Sequence, residues 1–236
     1  MWLVCVRFCS KKLAEFFTIP NTTLPLTGRE TSLSVLRAVA TALLLGCVCT
    51  AQAGNQQYEP LAASVQAALS AAIADKAAPN PHFSSVQEKL DWVNWQTEMS
   101  VRLAKRMPDR DTRLDFLRTV FYEAKRAGLD PQMVLGLIQV ESGFHKYAVS
   151  KAGARGYMQV MPFWKKLIGN GDQNLFLMRN NLRFGCTILR HYLDIEKGDL
   201  YRALGRYNGS LGKPEYPNMV RGAWEKHWAW SANVAR

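Results

Sequence analysis

Residues 129–143, LDPQMVLGLIQVESG, constrain the fold of this chain most. Asp130 offers a side-chain acceptor to the first free amides of a helix, and Pro131 suits the first helical position, where a missing N–H costs nothing. Val134, Leu137, Ile138 and Glu141 then fall at i, i+3, i+4 and i+7, one helical face that is apolar apart from Glu141. Such a stripe needs other elements to cover it, so a core forms around it. The carboxylate at its end either faces the interior or a cleft floor, or the stripe stops one residue early and Glu141 turns into solvent. In the buried case desolvation disfavours the ionised form and raises the pKa toward the range of a general acid at neutral pH.

The rest of the chain reads as helices that could supply that cover. Ser84 and Ser85 cap a helix carrying Val86, Leu90, Trp92 and Val93 on to Leu103, and Pro108 lies beyond its end. Asp109 or Asp111 caps the next, with Leu114, Leu117, Val120, Phe121 and Ala124 as its inner face and Gly128 past its end. Leu182, Cys186, Leu189 and Leu193 form an apolar stripe over 181–195. Shorter helices follow at 200–207 and 216–230. No useful alternating run exists, so the predicted fold is all-α, with at most a short hairpin within 148–157. The expected organisation is one compact helical domain over 84–236, preceded by an N-terminal helical appendage at 54–83.

Residues 29–53 read as a secretory leader: Arg29 and Arg37, an apolar run from Ala38 to Val48, and Ala51-Gln52-Ala53 as the cleavage site. Cleavage after Ala53 predicts a periplasmic protein with no transmembrane anchor left. A rival is acylation at Cys47, since Leu44-Leu45-Gly46-Cys47 loosely matches a lipoprotein box. The leader begins about 28 residues late, which predicts a translation start downstream of residues 1–28. Cys5, Cys9, Cys47 and Cys49 all lie before the cleavage site, so Cys186 alone is retained and reads as a core residue.

The net charge of +11 counts three units from residues 1–53, with five basic and two acidic side chains, and leaves +8 for the remainder. A basic surface suits nucleic acid, anionic lipid or anionic wall polymer. An exported protein argues against nucleic acid. There is no HExxH, no CxxC pair and no phosphate-binding glycine loop, and the four histidines are scattered; no cofactor and no metal are predicted.

After Glu141 and Ser142 comes a loop of small residues ending in AGARGYMQVMP (152–162), and Tyr207-Asn208 follow later. Glu141-Ser142, the Ala152-Gly153-Ala154-x-Gly156-x-Met158-Gln159-x-Met161-Pro162 run and Tyr207-Asn208, in this order, resemble the catalytic domain of lytic transglycosylases, relatives of goose-type lysozyme. The resemblance covers roughly residues 114–228. It implies a lysozyme-like helical domain that cleaves the β-1,4 bond between N-acetylmuramic acid (MurNAc) and N-acetylglucosamine (GlcNAc) of peptidoglycan and leaves 1,6-anhydromuramoyl ends. It implies Glu141 as acid and then base, Tyr207 as the tyrosine that hydrogen-bonds it, and Gln159 as the binder of a sugar acetamido group. It places Met158 and Met161 at the cleft, where core packing is the competing reading, and makes Ser142 and Asn208 sugar contacts or local structural residues. The partner is the glycan strand; association with a cell-envelope machine is left open. Two departures stand out: Tyr157 where leucine is usual, either a sugar-stacking face or core filling, and Arg206 where a small residue is common. The competing functions are a muramidase, in which water attacks, and a non-catalytic peptidoglycan-binding module.

Overall fold

The computed structural model describes residues 56–74 and 79–231. The leader, its cleavage after Ala53 and acylation at Cys47 lie outside the described residues. Helices run in the order α1 (Ala63–Ala74), α2 (Val86–Leu103), α3 (Arg110–Arg126), α4 (Pro131–Ser142), α5 (Phe163–Ile168), α6 (Met178–Ile195), α7 (Leu200–Asn208) and α8 (Glu215–Ala223), with a wider π turn at Trp224–Trp228. Among the described residues no strand forms. The expected hairpin reduces to two isolated bridges, Val149 with Arg155 and Arg155 with Val160. Among these residues no helix is long and apolar enough to cross a membrane.

Helix α4 is the centre. Asp130 accepts from the amides of Gln132 at 2.6 Å and Met133 at 3.3 Å, a cap worth ~1 kcal/mol. Met133, Val134, Leu135, Gly136, Leu137 and Ile138 are all buried, so the helix is enclosed on every side and not only along one stripe. The enclosing elements are α3, α8 and the π turn. Gly136 permits the closest of these approaches: a Cβ there would lie 2.9 Å from the backbone nitrogen of Trp224. Trp228, fully buried, fixes the same crossing by donating its indole N–H to Gln139 at 2.9 Å.

Helix α6 packs on α3 and α7. Two parallel stripes are buried along it, because Asn181, Gly185, Ile188 and Tyr192 are covered as well as the Leu182–Leu189 face. The buried Glu123 ties α3 to α6: it accepts from Arg126 at 2.8 Å and from Arg183 at 3.0 Å. Cys186 is fully buried, as its stripe predicts, and desolvation pushes its thiol far above the usual range. It is a core residue with no nucleophilic character. Helix α1 packs against α5 and α6, and Gln66 donates to the carbonyl of Leu167 at 2.8 Å.

Candidate active site

The site is assembled where the C-terminal end of α4 meets the loop 148–162. Gly143 ends α4 in the left-handed region, at φ +58°, which turns the chain away immediately after Glu141 and Ser142. Ser142 closes the joint by donating its hydroxyl to the carbonyl of Tyr157 at 2.7 Å. The loop is held from below by Asn181. Its side chain accepts from the Met158 amide at 2.7 Å and donates to the carbonyls of Arg155 at 2.8 Å and Leu175 at 2.9 Å. Gly156 is required there twice over. Its φ is +77°, and a Cβ would sit 2.4 Å from the Asn181 amide nitrogen.

Glu141 is 5% exposed, so the stripe does carry its carboxylate inward. Burial pushes its pKa up to about 8, against the opposing hydrogen bond from Tyr216. The carboxyl is therefore protonated at neutral pH. Tyr216, on α8, donates its hydroxyl to Oε1, while Oε2 has no hydrogen-bond partner among the protein atoms. One oxygen is thus oriented by Tyr216, and the other is buried without a hydrogen-bond partner.

The hydrogen bond that the resemblance assigns to Tyr207 is made by Tyr216 instead. Tyr207 is fully buried and donates to the carbonyl of Met158 at 2.7 Å. It remains within electrostatic reach of Glu141, which helps burial raise its phenol pKa. Gln159 is 2% exposed with φ +49°, and its amide nitrogen donates to the carbonyls of Gly156 at 2.9 Å and Ala148 at 3.2 Å, so this donor is spent on the loop itself. Met158 is fully buried against Gly185, where a Cβ would meet its sulfur at 2.4 Å. Its side chain packs in the core. Met161 is half-buried, and Asn208 is buried at the end of α7. Glu141, Ser142, Tyr207 and the Met158–Met161 run are thus brought together, though several serve as framework.

The two departures find a structural use. Tyr157 packs its ring on Phe116, with centroids 4.9 Å apart, and is 3% exposed, so it fills core. Arg206 pairs with Glu196 and, at 3.2 Å, with Glu59 from the segment before α1. In that segment the buried Gln56 accepts from the Trp164 indole at 3.0 Å and from the Met161 amide at 3.4 Å, and lies beside Tyr207. Sequence reasoning missed Tyr216, Asn181 and Gln56. Asn181 had a readable signal, a polar side chain in register with Gly185, Ile188 and Tyr192; Tyr216 and Gln56 had none. Among the described residues His, Cys, Asp and Glu side chains nowhere gather in threes around a point that could hold a metal ion.

The chain is similar to known proteins over this region. Residues 118–220 match the transglycosylase SLT domain, a span that contains Glu141, the loop, Tyr207 and Tyr216. The transglycosylase of Enterobacteria phage PRD1 is 32% identical over 103 residues, covering 44% of this chain and 38% of the phage protein. Membrane-bound lytic murein transglycosylase C of Actinobacillus pleuropneumoniae serotype 5b (strain L20) is 51% identical over 47 residues, 20% of this chain and 13% of that protein. Its namesake in Haemophilus influenzae (strain PittEE) is 45% identical over 92 residues, 34% of this chain and 26% of that protein. The matches therefore span well under half of these relatives' length. Residues 118–220 thus form a transglycosylase SLT domain, similar to the corresponding part of these relatives.

Proposed function

We propose that the chain is an exported peptidoglycan lytic transglycosylase that uses Glu141 as its single acid and base. The observation that carries this reading is the buried Glu141 carboxyl, whose burial favours the acid form, with Oε1 held by Tyr216 and Oε2 unpartnered. In the proposed reaction Oε2 gives its proton to the glycosidic oxygen between MurNAc and GlcNAc as the bond to the muramoyl C1 breaks. The sugar's own N-acetyl oxygen stabilises the cation at C1. The Glu141 carboxylate then takes the proton of the muramoyl 6-hydroxyl as O6 attacks C1. The anhydro ring closes and the acid is restored, one group acting in both directions.

A muramidase would need a second carboxylate placed to hold the attacking water. Asp172 and Glu215, nearest the motifs in sequence, are both exposed. A non-catalytic module would have no use for a carboxyl held in its acid form. In this reading Tyr216 orients Glu141, and Tyr207 and Met158 support the loop from beneath. Ser142 fixes the loop against α4, Gln159 braces the loop from within, and Met161 and Asn208 border the sugar. Export to the periplasm follows from the leader at 29–53. Glu141→Gln should keep fold and glycan binding and lose about 10²–10⁴ of the lytic rate on purified sacculi. Equal rates for the two proteins would remove Glu141 from the chemistry.

A further inference from the structure

Two adjoining cavities open on the Ser142 side of the candidate site. One, of about 710 Å³, runs from Ser142 and Tyr157 past Lys146 and Tyr147 to Arg106. The other, of about 550 Å³, continues from Arg106 to Arg102, Lys105 and Lys226. Arg106 lines both, so the two adjoin as a trench, and its wall includes Ser142, the residue that follows Glu141 in the chain. Its charge is one-sided. Asp109, the acidic residue on the wall, is committed to capping α3 by accepting from the Thr112 amide at 2.8 Å. Arg102 is paired with Glu98 at 2.7 Å, but no ion pair among the described residues involves Lys105, Arg106, Lys146 or Lys226. Two of these cations are steadied by rings instead: Arg106 lies 5.8 Å over Phe144, and Lys146 lies 5.1 Å over Tyr147. Unpaired cations clustered along a concavity raise the local concentration of anions and favour their docking.

The geometry points to this trench as the binding site for the carboxylates of the peptide stem carried by the muramoyl sugar. The inference rests on the lytic reading of the site. The sugar that is cleaved is the one bearing the stem, so the stem has to leave the cleft beside the acid. The trench wall includes Ser142, next to that acid in the chain, and offers several cations to a chain of carboxylates, with the exposed Tyr147 as an apolar face.

The test compares peptide-bearing glycan strands with strands stripped of their stems by an amidase, using the whole protein and an Arg106→Glu/Lys146→Glu variant. Both side chains are clear of the core, so the variant should fold, which circular dichroism checks. Wild type should prefer the peptide-bearing strands, and that preference should shrink as ionic strength rises. The variant should raise the half-saturating concentration of peptide-bearing strands roughly three- to tenfold and leave stripped strands unchanged. Equal loss on both substrates, or no change on either, would overturn the stem site. So would a variant that loses only its binding to phosphatidylglycerol vesicles, since the trench would then be a membrane contact. Should wild type release no product from either strand, the lytic reading fails. Free stem peptide titrated against the amide resonances of Lys146 and Tyr147 then decides the trench by itself, with binding supporting it and no shift ending it.

Discussion

At the scale of single residues, the division of labour between the two tyrosines is the most exposed part of the account. Tyr216 touches the Glu141 carboxyl and its hydrogen bond lowers the Glu141 pKa, whereas Tyr207 donates to the carbonyl of Met158 and lies beside Gln56. Activity that needs protonated Glu141 should decline above about pH 8. Tyr216→Phe removes the bond that favours the ionised form, so the alkaline limb of the pH–rate profile should move to higher pH while kcat falls. Tyr207→Phe loses one buried hydrogen bond, worth about 1 kcal/mol of stability, and leaves the alkaline limb nearly in place. Matched pH–rate profiles of the two variants check this, and an upward shift for Tyr207→Phe alone would reverse the assignment.

At the scale of elements, what positions the site is the tight passage of the C-terminal turn across α4 and the clamp of α6 under the loop. Gly136→Ala would put a Cβ about 3 Å from three atoms of Trp224, its N, Cα and Cβ. It should cost about 1–3 kcal/mol and, by displacing α8, loosen Tyr216 from Glu141. Denaturant unfolding gives the first number and the pH–rate profile reports the second. Asn181→Ala leaves the Met158 amide and the carbonyl of Leu175 without their side-chain partner, while the carbonyl of Arg155 keeps the Val160 amide. The expected loss is of order 1–3 kcal/mol, with a fall in activity although Asn181 touches no substrate. These elements also mark what the sequence could and could not reveal. The caps at Ser85, Asp109 and Asp130, the apolar course of α4 and its inward carboxylate were legible, because each depends on residues within a turn or two of one another. Tyr216 lies 75 positions from Glu141, and Gln56 lies 105 from Met161. No local periodicity encodes pairings that only the packed chain creates. The framework use of Met158 and Gln159 was hidden for a related reason: a motif names residue types, and the same types serve sugar or loop depending on which neighbours close over them.

At the scale of the whole molecule, the buried acid links the chemistry to folding. The Glu141 carboxyl is neutral in the folded protein up to about pH 8 but ionises near its ordinary value of 4.5 once unfolded. The folded state therefore binds the extra proton between those limits. Stability from this group is greatest below about pH 4.5 and declines by up to about 1.4 kcal/mol per pH unit as pH rises toward 8. Glu141→Gln should abolish that slope and raise the melting temperature at neutral pH while destroying activity. A destabilised variant would mean that the carboxyl is not buried in its neutral form. The central claim, that one protonated carboxyl and the substrate's own groups suffice, is tested most directly by mass spectrometry of the fragments released from purified sacculi. The account predicts 1,6-anhydromuramoyl ends, lighter by one water than reducing ends, and their disappearance in Glu141→Gln. Reducing muramoyl ends from the wild-type protein would contradict it.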